Sequence, residues 1–187
     1  ISTSMTAEDE QPNRPEKANR EINALLSQLG GNRIGLIAFA GSALLISPMT
    51  NDIGSLKMFV SSLTTDSVST QGTDFKSVID EAMRAFERGG VEGVSGKPTR
   101  VLLIASDGED NEPGAESATK KAVEAGIRIF TIGCGSERGA PIPVKDDRGT
   151  LRGYKKTGKD QVVMSVPSFS GLEKLASRGE GLFFRST

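Results

Sequence analysis

Four oxygen-bearing side chains stand where loops meet ordered elements. Ser2 and Ser4 are two residues apart, Thr73 follows Gly72, and Asp107 follows the apolar run 101–105. Three hydroxyls and a carboxylate suit a hard cation such as Mg²⁺ or Mn²⁺, which takes oxygen ligands in an octahedral array. Each residue also has an ordinary reading. Thr73 before a helix is an N-cap, an Asp after a strand shapes a turn, and Ser2 and Ser4 can fray. What points to chemistry is their order across three separate segments. Glu109 and Asp110 beside Asp107 allow a second reading, a hydrolase in which Asp107, Glu109 and Asp110 hold one or two cations that activate water. Against it stand the origin of all three carboxylates in one turn and the lack of a histidine base.

Composition narrows the chemistry further. The chain has 187 residues, 23 Lys plus Arg against 24 Asp plus Glu, no His, no Trp and one Cys. Without His there is no Ser-His-Asp or Cys-His nucleophile and no His-containing zinc site. Cys134 alone cannot form an intrachain disulfide and reads as a small buried residue. A net charge of -1 and few aromatic residues give nucleic acid neither a basic footprint nor a stacking platform. No run of about 18 apolar residues is present to span a membrane.

The elements that must position these residues follow from periodicity. Residues 6–13 read as a polar, solvated loop. Asn13 and Glu16 have capping-box spacing ahead of Ala18, Ile22, Leu25, Leu26 and Leu29, and Gly30-Gly31 ends that helix. Residues 33–40 and 43–46 read as an antiparallel hairpin around Gly41-Ser42. Helices are expected over 53–63, 73–86 and 115–125, with strands over 101–105 and 127–132. The continuous apolar run 101–105 is expected to be buried on both faces. Residues 133–167 show no clear helix, with 161–164 a short strand and Lys155, Lys156 and Lys159 an exposed turn. Ser168 is expected to cap a last helix burying Phe169, Leu172 and Leu175, before a strand over 181–184. Gly133-x-Gly135 lacks the following helix that a dinucleotide loop needs, because Pro141 and Pro143 intervene. The alternation predicts one α/β, Rossmann-like domain over 1–187, a mainly parallel sheet flanked by helices. Binding residues in such a sheet lie beyond the carboxyl ends of the strands.

Ser2-x-Ser4, then Thr73, then Asp107 resemble the metal-ion-dependent adhesion site of von Willebrand factor type A domains, Asp-x-Ser-x-Ser, Thr and Asp. Residues 32–39 resemble that family's second strand, Gln71-Gly72-Thr73-Asp74 its threonine loop, and Ser106-Asp107-Gly108-Glu109-Asp110 its Thr-Asp-Gly-Glu-Asp variant. The resemblance implies that Ser2, Ser4 and Thr73 contact the cation directly and Asp107 through water. An open coordination position then accepts an Asp or Glu carboxylate from a protein partner, and the module is not an enzyme. A structural assembly domain with a vestigial site is a further alternative.

Ser4-Met5-x-Ala7-Glu8-Asp9, residues 38–43 and Gly139-Ala140-Pro141-Ile142-Pro143 are similar to bacterial Bat-type proteins of aerotolerance operons. That similarity implies an inner-membrane anchor outside these residues, a periplasmic domain, and Bat-type companions or a MoxR-type ATPase system as partners. It also implies that the motif's first Asp and the first central strand lie immediately upstream of Ile1. Without that strand, about four buried aliphatic side chains and roughly 6–12 kcal/mol are expected to be missing from the core.

Overall fold

A computed structural model describes residues 1–11, 13–89, 98–108, 113–146, 148 and 150–186. The five α-helices are α1 (Arg14–Gln28), α2 (Ile53–Ser62), α3 (Phe75–Arg88), α4 (Ala115–Glu124) and α5 (Phe169–Arg178). The main strands are β1 (Ile34–Phe39), β2 (Ala43–Thr50), β3 (Arg100–Ser106) and β4 (Ile127–Gly133). Short strands follow: β5 (Ala140–Pro141), β6 (Pro143–Lys145), β7 (Leu151–Tyr154), β8 (Met164–Ser165) and β9 (Phe183–Arg185).

Strands β3, β4 and β9 form a parallel sheet in that order, running Arg100↔Ile127 to Ser106↔Gly133 between the first two. β1 and β2 form the expected antiparallel hairpin, and β2 runs past the expected 43–46 to Thr50. Among the described residues no ladder joins β1 to β3. Their inward side chains nevertheless share one core. Phe39 from β1 meets Leu102 and Ile104 from β3, Ile127 and Ile129 from β4, and the apolar faces of α3, α4 and α5. On the other side Leu26 of α1 packs with Leu56 and Val60 of α2 against Ile34 and Leu36.

Helix ends follow local chemistry. The Asn13 side chain accepts from the Glu16 N–H at 2.9 Å, and its amide donates to the Glu16 carboxylate at 2.9 Å, the reciprocal cap that the spacing predicts. Asp74, not Thr73, caps α3, accepting from the Ser77 N–H at 3.0 Å. Ser168 sits at the start of α5, but its side chain caps nothing.

Three expectations need correction. β3 is not buried on both faces. Leu102 and Ile104 are buried, whereas Val101 and Leu103 remain 47% and 37% exposed. The physical reason is that α1 and α2 direct their apolar residues onto β1, and only the Ala105 end of β3 meets that layer, through Met5 and Ala18. Residues 6–13 are not simply a solvated loop, because Ala7 is fully buried and the Asp9 side chain is 4% exposed. Residues 133–167 form two small ribbons, β5 with β8 and β6 with β7. The strand expected over 161–164 is reduced to a single Val162–Lys156 bridge ahead of β8. Lys155, Lys156 and Lys159 are exposed, as expected.

Candidate metal centre

The carboxyl ends of β1 and β3 and a short 3-10 turn over Thr3–Thr6 bring three loops together. The Ile1 nitrogen donates to the Phe39 carbonyl at 2.9 Å, and the Thr3 N–H to the Gln71 side-chain oxygen at 3.1 Å. The threonine loop is pinned to the end of β1 by Gly41 N–H to Thr70 O and Asp74 N–H to Ala40 O, each 2.9 Å. Gly72 turns with a φ of +110°, a left-handed conformation that glycine adopts without strain. Because Asp74 serves as the helix cap, the Thr73 hydroxyl is not consumed there. Ser2, Ser4, Thr73 and Asp107 are all buried polar residues, with Asp107 1% exposed.

Asp107 is fixed from several directions. Its carbonyl accepts from the Ser168 N–H at 2.8 Å, and Ser106 Oγ accepts from the Gly108 N–H at 3.1 Å. Gly108 has a φ of +82°, and a Cβ there would fall 2.2 Å from the Ser168 carbonyl oxygen. The Asp107 carboxylate accepts from Arg14 Nη1 at 3.1 Å, and the same nitrogen donates to the Ser4 carbonyl at 3.1 Å. One buried guanidinium therefore bridges the serine loop and the aspartate loop.

Arg14 is fully buried and engages Asp9 through both fork positions, at 2.7 and 2.8 Å. Asp9 also accepts from the Ser136 N–H at 2.9 Å. Burial opposes ionisation of Asp9, but the Arg14 hydrogen bonds, the Ser136 N–H and the guanidinium charge outweigh it and hold the carboxyl below its ordinary range. Cys134 is buried nearby. Burial, followed by the negative charge of Glu21, pushes its thiol up to about 12, so it is no nucleophile at neutral pH.

The donor set fits a hard cation. Ser4 Oγ is buried and has no hydrogen-bond partner, an orphaned polar atom that a bound cation would satisfy. The side chains of Asp9, Arg14 and Asp107 sum to one net negative charge, as a cation site needs. Among the described residues no three His, Cys, Asp or Glu side chains cluster to hold a metal, so hydroxyls must supply the donors. Glu109 and Asp110, on which the hydrolase reading rests, lie outside the described residues.

Sequence reasoning missed Asp9, Arg14 and Ser165. One signal was available. Arg14 occupies the first turn of α1, where the helix dipole disfavours a cation, so it needs partners elsewhere.

A family model of the von Willebrand factor type A domain matches residues 1–109, and the chain belongs to that family. A crystal structure of BatB, a conserved hypothetical protein of Bacteroides thetaiotaomicron, is 38% identical with a TM-score of 0.88, covering 99% of this chain and 85% of that one. An aerotolerance-related membrane protein of Bacteroides fragilis is 33% identical with a TM-score of 0.87, covering 98% and 86% respectively. The resemblance to Bat-type proteins thus extends over the whole chain. Curated relatives such as a UPF0353 protein of Mycobacterium leprae are 32% identical over 79% of this chain. The chain spans about half, 48%, of their length. Proximal thread matrix protein 1 from the mussel byssus, solved with a zinc-occupied MIDAS motif, shares the fold at 14% identity and a TM-score of 0.58, over 71% of this chain and 35% of that one. No helix among the described residues is long and apolar enough to cross a membrane.

Proposed function

We propose that the chain is a cation-dependent protein-binding module rather than an enzyme. Ser2, Ser4 and Thr73 hold Mg²⁺ or Mn²⁺ directly, and Asp107 holds it through water. The observation that carries this reading is the buried, unpartnered Ser4 Oγ beside the Asp107 loop. Hydroxyl donors leave most of the cation's charge unquenched, so an open position attracts an Asp or Glu carboxylate of a protein partner. The occupied site of the mussel protein supports a divalent ion at this place in the fold.

Two further readings go with it. The unpaired edges of β1 and β3 around one shared core, among the described residues, support an additional strand between them, leading into Ile1 and carrying the motif's first Asp. Residues 1–187 with that strand form one domain. Likeness to an aerotolerance-related membrane protein supports an inner-membrane anchor elsewhere in the protein and a periplasmic setting for this domain. Bat-type companions or a MoxR-type ATPase system are the partners to test.

Calorimetric titration of Mn²⁺ into the full-length protein tests the site. Ser4→Ala and Asp107→Ala are each expected to weaken binding at least about ten-fold, the scale of one lost charged or ligating contact, with unchanged circular dichroism. Parent-like affinity in both variants discards the reading.

A further inference from the structure

Arg14 belongs to no element of the adhesion motif, yet it lies at its base. Its side chain is fully buried and every donor group is engaged. Nε and Nη2 hold Asp9, and Nη2 also donates to the Ser165 carbonyl at 3.0 Å. Nη1 donates to Ser165 Oγ at 2.9 Å, to the Ser4 carbonyl and to Asp107 Oδ2. The pocket is shaped for this fork. Gly135 has a φ of +101°, and a Cβ there would lie 2.5 Å from Arg14 Nε. Asp9 is itself held by the Ser136 N–H and, at 3.3 Å, its hydroxyl. The guanidinium is therefore aimed at Asp107 by groups on its far side.

We infer that Arg14 is the positioning residue that keeps Asp107 from gripping the cation directly. This rests on the cation site proposed above. With Oδ2 committed to the guanidinium, Asp107 has one oxygen free to face the site. A bidentate grip is blocked, and the positive charge offsets the carboxylate's pull. The cation is held less tightly but stays more electrophilic toward a partner's carboxylate. The bond to the Ser4 carbonyl fixes the height of the serine loop in the same step. A helper that merely stitched α1 to the loop would have no reason to spend a donor on Asp107.

The effect has an unusual sign. Removing the guanidinium frees Asp107 to enter the inner coordination sphere, displacing water and tightening the cation. The experiment uses the full-length protein with Mn²⁺ as the probe, measuring affinity by titration and bound water by proton relaxation. In Arg14→Gln combined with Asp9→Asn, which leaves no carboxylate unpaired at position 9, Mn²⁺ is expected to bind about ten-fold tighter, for one opposing charge removed a few ångströms away. The relaxation enhancement per bound Mn²⁺ is expected to fall. Arg14→Lys is the conservative variant, in case the double variant does not fold. A point charge cannot span Asp9, Ser165 and Asp107 together, so relaxation is expected to fall there too. A folded Arg14→Lys protein with parent-like affinity and relaxation overturns the role of Arg14 and leaves the cation site standing. A parent protein that takes up no Mn²⁺ overturns both.

Discussion

At the loop edge the Asp9, Arg14 and Asp107 side chains are each exposed by 4% or less, in one network of short hydrogen bonds. In the neighbouring ribbons, Arg152 pairs with Asp146 and Lys156 with Asp160 at 2.9 Å, with Arg152 70% and Asp160 84% exposed. The distances are alike and the consequences are not. Water already solvates the ribbon charges, so their pairing adds little. The charges beneath the site have left water, and each depends on its partners to remain there. Ion-pair geometry alone therefore says nothing of importance; burial decides it. The two regions also touch, because Ser165 of β8 accepts from Arg14. The ribbons rest on the same guanidinium that holds Asp107.

The comparison breaks most visibly at Asp9. Asp9→Ala leaves Arg14 buried without its principal partner and is expected to cost about 3–5 kcal/mol of unfolding free energy in denaturant titration. A loss below about 1 kcal/mol would put this pair in the same class as the ribbon pairs.

Acid sharpens the same contrast. The folded carboxyl of Asp9 sits below its ordinary value, so its contribution is fully present above the unfolded value, about 3.9. It is lost as pH falls through the lower, folded value. The stability gap between the parent protein and Asp9→Asn is therefore expected to be constant from pH 7 to about 5 and to shrink below about 4. A gap unchanged down to pH 2.5 would mean that Asp9 is not the titrating partner.

The smallest effect belongs to the ribbons. Lys156→Ala is expected to change unfolding free energy by less than about 0.5 kcal/mol, and to leave Mn²⁺ affinity unchanged. A larger loss would show that the ribbon charges are not independently solvated.

Legibility in the sequence divided along related lines. Hairpin, helices and parallel strands could be read because their apolar periods are local, and Ser2, Ser4, Thr73 and Asp107 because each sits at an element boundary. The capping of α1 was equally local, within Asn13 to Glu16. The support beneath the site was not legible, since Arg14 meets Asp107 and Ser165 across 93 and 151 residues of chain. No period or spacing reports such a contact. Burial of Asp9 was hidden for the same reason, because its surroundings come from Arg14 and Ser136 rather than from its own polar neighbours. β3 misled in the opposite direction. Five apolar residues in a row suggested cover on both faces, whereas α1 and α2 lean toward β1 and leave Val101 and Leu103 in contact with solvent.

The central claim is that three loops supply a hydroxyl-rich cation site whose aspartate is kept at arm's length by a buried arginine. Anomalous diffraction from crystals of the full-length protein grown with Mn²⁺ tests it most directly. The account predicts one strong peak within direct bonding distance of Ser2 Oγ, Ser4 Oγ and Thr73 Oγ1, with Asp107 reached through water and still bonded to Arg14. A peak bonded directly to both oxygens of Asp107, or one at Asp9 with Ser4 Oγ untouched, would contradict it.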